Sequence, residues 1–193
     1  MSSRFISRLG AGLVAVAALA VAAAPASAQQ LKGLFRISAG SYFRMKEPTG
    51  AKSKFFANPY STDANKTYTL ITAGSDGGLR TGVLQPAPTP AFDAKGDSLA
   101  NRIIAPTDFT GINFGLANVG TAPSITASAG HLSGQVDGFT AEWNKLSFKQ
   151  GGQVTGTYNA QTHAYVLTWS SLISGGPFNG FTGVWHLKGT FAS

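Results

Sequence analysis

The chain has 193 residues, of which 43% are hydrophobic, and its 15 Lys and Arg against 8 Asp and Glu give a formal net charge of +7. This hydrophobic content excludes an intrinsically disordered chain. Because the sequence has no cysteine, a disulfide framework, a thiolate metal site and a cysteine nucleophile are also excluded. We therefore expect a folded protein whose stability depends on packing alone.

The segment 1–28 has the pattern of a cleaved signal peptide. Arg4 and Arg8 precede an apolar run over residues 11–24, and the small residues of 25–28 form a cleavage-like site. Removal of this segment takes away both arginines and lowers the formal net charge from +7 to +5. The length that is left fits one domain, so we expect a single domain over 29–193. We expect it to be secreted, or to reside in the periplasm or cell wall. No later apolar run is long enough to span a bilayer.

The elements that follow favour β-structure, since no stretch keeps apolar residues at helical spacing for three turns. In chain order, we first expect a hairpin over 33–46 around residues 38–41, followed by weaker strands at 67–72, 79–84, 112–116 and 124–128. We then expect a hairpin over 153–169 around residues 159–163, and an alternating strand over 181–191. One short helix is a candidate at 97–104, where Asp97 or Ser98 could cap it. The sequence thus predicts an all-β, antiparallel sandwich or barrel with about eight to ten short strands.

Residues 137–143 recur in part as residues 179–185, each copy beginning with an Asx-Gly pair and ending in tryptophan. We read each copy as a turn that leads into a strand, with Phe139 and Trp143, or Phe181 and Trp185, facing inward. The next apolar residue after Trp143 comes one position late, which predicts a β-bulge at 144–145. The tryptophans could be core residues, or they could stack on a ligand. The ligand-contacting candidates are Trp143, Trp169 and Trp185.

The excess positive charge lies in the N-terminal part of the predicted domain. Residues 29–80 hold eight basic and three acidic side chains, whereas residues 81–193 hold five of each. Arg44 and Lys46 share a strand face with Tyr42, and Lys52 and Lys54 follow in a loop. Such a patch attracts acidic polysaccharides, phosphate-bearing envelope polymers or anionic lipid headgroups. Export makes nucleic acid an unexpected partner, and the alternative interpretation is a basic surface that aids solubility.

Catalytic patterns are weak in this sequence. His131, His163 and His186 stand apart without the spacing of a zinc site, so we expect no metal and no cofactor. Asp137 and Glu142 form a close carboxylate pair, but the alternation predicts a turn residue and a solvent-facing strand residue. We therefore expect no catalytic residues.

Three hypotheses remain open. The first is a secreted, non-enzymatic β-domain that associates with the cell envelope or an extracellular anionic polymer through Arg44, Lys46, Lys52 and Lys54. The second is a small-ligand carrier with an apolar pocket lined by the three tryptophans. The third is a carbohydrate-active enzyme that uses Asp137 and Glu142. The sequence leaves the oligomeric state open.

Overall fold

The computed structural model describes residues 27–50 and 68–193. In chain order, its strands are β1 (Gln29–Leu31), β2 (Leu34–Ile37), β3 (Tyr42–Lys46), β4 (Thr69–Leu70), β5 (Gly78–Arg80), β6 (Thr107–Phe109), β7 (Ile112–Asn118), β8 (Ser124–Ser128), β9 (His131–Gln135), β10 (Phe139–Trp143), β11 (Leu146–Lys149), β12 (Gln153–Tyr158), β13 (Ala164–Leu172) and β14 (Thr182–Ala192). A single 3-10 turn lies at Gly176–Phe178. The all-β, antiparallel class predicted from the sequence is confirmed.

The strands form two antiparallel sheets. The large sheet runs in the order β1-β8-β9-β12-β13-β14-β2-β5, with β3 also paired to β14 and β4 paired to β3. It curls into a half-barrel. The small sheet runs β11-β10-β7-β6. The chain crosses from the large to the small sheet twice, after β5 and after β9, and returns at β8 and at β12, so one core is built from both sheets.

Aromatic rings from both sheets fill this core. Phe139 of the small sheet makes edge-to-face contacts with Trp169 and Trp185 of the large sheet, at centroid distances of 5.0 and 5.2 Å. Phe43 stacks on Trp185 at 4.0 Å. Aromatic pairs in such geometries add to the stability gained by burial. The inward direction predicted for Phe139, Trp143 and Trp185 is confirmed by their burial, while Phe181 packs against the core and is partly buried.

The alternation predicted for the C-terminal strand and the hairpin before it are also confirmed. β14 buries Gly183, Trp185 and Leu187 and turns the residues between them outward. β12 and β13 pair across the loop 159–163, as predicted. The strands number fourteen in the described ranges instead of eight to ten, because β1, β6, β9 and β11, each of five residues or fewer, were not predicted. Segments this short leave little periodicity to detect. Thr67, at the start of one predicted strand, lies outside the described residues.

The predicted hairpin over 33–46 is wrong. β2 and β3 do not pair with each other, and both lie antiparallel to β14, one after the other. Residues 38–41 connect β2 to β3 and belong to neither strand. The Ser41 hydroxyl accepts a hydrogen bond from the Lys188 N–H (3.0 Å) and donates one to the Ser38 carbonyl (2.9 Å). The buried Ser41 hydroxyl thereby takes the place of strand-to-strand hydrogen bonds that are missing along β14 between β2 and β3.

The predicted bulge at 144–145 is also wrong. Asn144 and Lys145 have φ values of 50° and 62°, and Trp143 pairs directly with Leu146. The two residues therefore form a two-residue hairpin turn of the primed kind, which suits the twist of the flanking strands. Leu146 is displaced by one position because it starts the next strand.

The predicted helix at 97–104 is wrong as well, since this segment contains no helical turn. The Asp97 carboxylate accepts a hydrogen bond from the Asn113 N–H at 2.7 Å instead of capping its own segment. The carbonyls of residues 101–103 accept hydrogen bonds from the N–H groups of residues 74–76. The backbone groups that a helix would pair internally are thus paired with a distant part of the chain.

Candidate binding face of the large sheet

The ten strands of the large sheet contain no aspartate or glutamate, so their charged side chains are all basic. Carboxylates of the described residues lie in turns and loops or on the small sheet, where Asp108 and Glu142 are found. A surface with charge of one sign produces a potential that attracts ions of the opposite sign. The large sheet is therefore the part of the described chain best suited to bind anions.

The cations of β2 and β3 are spread along β14, from Lys46 opposite Thr182 to Arg36 opposite Thr190. Arg44 and Lys46 alternate along β3 with the buried Phe43 and Met45, so they share the outward face, as the alternation predicted. Arg36 of β2 and Lys188 of β14 are exposed on the same face. We call Arg36, Arg44, Lys46 and Lys188 the basic patch. Lys52 and Lys54 lie outside the described residues, so their part in this patch stays a prediction.

None of the basic-patch side chains forms an ion pair with a described residue. The ion pairs of the described ranges join Arg80 and Arg102 to Asp76, and Lys95 to Asp97. The Nε atom of Arg44 is buried and has no hydrogen-bond partner among the described residues. A buried guanidinium N–H without a partner is costly, because it gives up hydration without a replacement. Arg44 also borders an open groove on this face, where an external acceptor can approach its side chain.

An aromatic and imidazole cluster lies next to Arg44. Tyr42 pairs with His186 across β3 and β14, and their rings stack at 4.6 Å with an interplanar angle of 11°. Tyr68 packs on Tyr42 at 5.1 Å. Burial lowers the pKa of His186 below its ordinary 6.5, and the nearby charges of Lys188 and Arg44 lower it further. The imidazole is therefore neutral at pH 7, and its side chain offers one donor and one acceptor.

A groove of about 630 Å³ extends from these residues across the large sheet. Its floor continues over β13 and β12, where it is lined by Thr155, Thr168, Ser170 and Gln153. Hydroxyl and amide groups can both donate and accept hydrogen bonds. The groove is thus cationic at its β3 end and rich in neutral polar groups at its β12 end.

All three tryptophans are buried in the core, although Trp169 and Trp185 also border the groove of the large sheet. Their indole N–H groups have partners: Trp143 donates to the carbonyls of Phe109 and Ile112, Trp169 to the Gln150 carbonyl, and Trp185 to the Gln150 side chain. Trp143 also lines an apolar cavity of about 40 Å³ between the sheets. Pockets that hold drug-sized ligands are typically about 300–1,000 Å³. A ligand-contacting role for these tryptophans stays a prediction, and this cavity gives it little room.

Asp137 and Glu142, the predicted carboxylate pair, lie in different environments. Asp137 is exposed in a turn, whereas Glu142 is only 5% exposed and its carboxylate accepts a hydrogen bond from the Ser147 hydroxyl. The expectation that Glu142 faces solvent is wrong. Ser98 and Ala100 lie against Gly115, the neighbour of Glu142 on β7, so the segment around them covers this face of the small sheet.

Neither a metal-ligand cluster nor a membrane-spanning helix lies within the described ranges. Over residues 27–50 and 68–193, no group of three or more His, Asp or Glu side chains is placed to hold a metal ion. Over the same stretches, no helix has the length and apolarity needed to cross a membrane.

Sequence reasoning missed the Tyr42–His186 stack and the hydroxyl-lined part of the groove. Tyr42 and His186 are brought together by the pairing of strands that lie near opposite ends of the domain. The only local signal was that His186 and Lys188 share the outward positions of an alternating strand. Comparisons with family models, curated proteins and solved structures find no match to this chain.

Proposed function

We propose that this chain is an exported, non-enzymatic binding protein whose basic patch associates with an anionic polymer of the cell envelope or the extracellular space. One observation carries the proposal: the large sheet presents Arg36, Arg44, Lys46 and Lys188 on one face and contains no carboxylate in its strands. Ions of opposite charge must then come from outside the sheet.

The position of Arg44 supports a bound anion rather than a surface that only aids solubility. Arg44 and Lys46 line the same open groove, and neither side chain pairs with a carboxylate of the described residues. A guanidinium binds a carboxylate, sulfate or phosphate through charge-assisted hydrogen bonds. Arg44 thus favours specific contact at this point of the face.

The sequence at residues 1–28 supports export, since it has the charged, apolar and small-residue regions of a signal peptide. The first strand, β1, begins at Gln29, directly after the expected cleavage site. Export favours envelope or extracellular polymers over nucleic acid as the partner of the basic patch.

The proposal is tested by titrating dextran sulfate into the protein and measuring the dissociation constant by calorimetry. We expect R44Q/K46Q to weaken binding roughly thirtyfold at low salt, because each Lys or Arg near an anionic surface contributes about 1 kcal/mol. The matched control is K145Q/K149Q, which removes the same charge from the β10–β11 hairpin of the small sheet. This control should keep most of the wild-type affinity.

Salt provides an independent check. Raising the salt from about 0.05 M to about 0.3 M should weaken binding strongly, since the screening length shortens over this range. Binding that is indifferent to salt, or that falls equally in R44Q/K46Q and K145Q/K149Q, would contradict the proposal.

A further inference from the structure

The strand registers align polar side chains in one row across the large sheet. Tyr42 of β3 pairs with His186 of β14, His186 with Thr168 of β13, Thr168 with Thr155 of β12, and Thr155 with Ser133 of β9. All five face outward at positions that alternate with buried residues. Adjacent strands are about 4.8 Å apart, so the row spans roughly 19 Å. We call these five residues the cross-strand row.

The chemistry of the side chains changes along the cross-strand row, from rings beside cations at one end to hydroxyls at the other. At the β3 end, Tyr42 and His186 lie beside the cations Arg44 and Lys188. From β13 onward the side chains are hydroxyls, and neither Thr168 nor Thr155 has a charged residue as its strand partner. A polymer with a charge on every unit and no other polar group would match only the first part. A chain rich in hydroxyls would match the rest.

We propose that the anionic polymer is an acidic polysaccharide, bound across the strands with an acidic group at Arg44 and sugar hydroxyls along Thr168 and Thr155. This inference rests on the proposed function and specifies its ligand class. The Thr168 hydroxyl donates to the Thr155 carbonyl at 3.3 Å and keeps its acceptor capacity, while the Thr155 hydroxyl can both donate and accept, as sugar hydroxyls do. Tyr42 and His186 are half-buried and line the groove, so their ring atoms can contact the apolar C–H groups of a sugar.

Two other anionic ligands fit the groove less well. A polyphosphate chain offers acceptors but no donors, so it would leave the acceptor capacity of the threonine hydroxyls unused. A lipid surface is bound by protruding apolar or aromatic side chains together with cations. Among the described residues that line the groove, Val184 is the one aliphatic side chain, and it is partly buried.

The test compares three probes: polygalacturonate, long-chain polyphosphate, and vesicles of phosphatidylglycerol and phosphatidylcholine in equal parts. The variant is T155V/T168V, which removes both hydroxyls with little change in shape and keeps β-branched residues in the strands. We expect it to weaken polygalacturonate binding roughly five- to thirtyfold, since each lost hydrogen bond typically costs about 1 kcal/mol. Its polyphosphate binding should fall by a smaller factor, because phosphate oxygens use only the donor of a hydroxyl.

Two control variants accompany this test. T190V removes an exposed hydroxyl from β14 beyond His186, outside the groove, and should bind polygalacturonate as the wild type does. T155S/T168S restores both hydroxyls and should regain most of the affinity. This rescue also separates a lost hydroxyl from a disturbed fold, which circular dichroism of T155V/T168V checks directly.

The outcomes separate this inference from the proposed function. If T155V/T168V weakens polygalacturonate and polyphosphate equally, or neither, the polysaccharide assignment is overturned while anion binding stands. Polyphosphate or the vesicles binding more tightly than polygalacturonate at equal charge would also overturn it. If R44Q/K46Q binds all three probes as the wild type does, the proposed function itself fails.

Discussion

Gln150 connects the two sheets through its backbone carbonyl and its buried side chain. Its carbonyl accepts the Trp169 indole N–H at 2.8 Å, and its side-chain oxygen accepts the Trp185 indole N–H at 3.2 Å. Gly183 leaves room for this amide, because a Cβ at residue 183 would overlap the Gln150 side-chain oxygen. Gln150 thus positions both indoles.

We expect Q150L to lower the free energy of unfolding by about 1–3 kcal/mol, because it leaves the Trp185 N–H buried without an acceptor. Urea unfolding followed by tryptophan fluorescence measures this loss. The matched control is Q153L, at an exposed position of β12, which should change stability by less than about 0.5 kcal/mol. Equal stabilities for Q150L and Q153L would show that the buried acceptor is dispensable.

His186 gives the stability a pH dependence. The groups that face its ring are Tyr42 and Arg44 from β3, Thr168 from β13 and Lys188 from its own strand, and none is acidic. Burial, followed by the charges of Lys188 and Arg44, holds the pKa of His186 below 6.5. The unfolded chain therefore takes up this proton first, and stability falls as the pH drops below about 6.5.

We expect H186Q to lose less stability than the wild type when the pH is lowered from 7 to 5, as measured by urea unfolding at each pH. T190V, a change of an uncharged residue at an exposed position of the same strand, is the control and should keep the wild-type slope. A steeper slope in H186Q than in the wild type would mean that the imidazole is stabilised by protonation, contrary to its surroundings.

For individual residues, the sequence predicted burial correctly where it follows from the alternation of a strand, as it does for Trp169 and Trp185. It failed for Glu142, because the segment that covers this carboxylate, around Ser98 and Ala100, comes much earlier in the chain. It also gave no sign of Gln150, since a buried amide is recognisable only when its distant partners are known.

Two hairpin turns share the same left-handed backbone conformation at both of their residues. Asn144 and Lys145 join β10 to β11 with φ values of 50° and 62°, and Ala129 and Gly130 join β8 to β9 with φ values of 48° and 80°. The second position is glycine in one turn and lysine in the other. Left-handed backbone costs a residue with a Cβ roughly 1–2 kcal/mol.

We expect K145G to stabilise the protein by up to about 1 kcal/mol, since relief of the left-handed strain exceeds the added freedom of the unfolded chain. G130A should destabilise it by about 1 kcal/mol, and the new methyl group would meet only the Tyr158 carbonyl at 3.7 Å. Urea unfolding of both variants measures the two changes in the free energy of unfolding. Shifts of the same sign would contradict the argument from φ.

The elements that could be predicted are those whose pairing is local. The loop 159–163 connects strands that pair with each other, so its polar residues and the flanking alternation were sufficient. Residues 38–41 have the same local signals, but the partner of both flanking strands is β14, at the far end of the chain. Turn chemistry alone does not determine which strands pair.

For the whole molecule, the two sheets differ in what covers their outward faces. Residues near Ser98 and Ala100 pack against β7, and the Asn144 N–H donates to the Gly96 carbonyl at 3.1 Å. The outward face of the large sheet keeps its groove. The sequence predicted an excess of basic residues but not this difference, which depends on where an irregular segment lies.

A molecule that binds polymer through the groove of the large sheet alone engages one polymer strand at a time. A monovalent protein decorates a long polyanion without bridging it to its neighbours. We expect mixtures of the protein with dextran sulfate to stay clear at all ratios, with light scattering that rises only in proportion to bound mass. Gelation or turbidity would require a second binding surface or self-association, and the molecule would then act as a cross-linker.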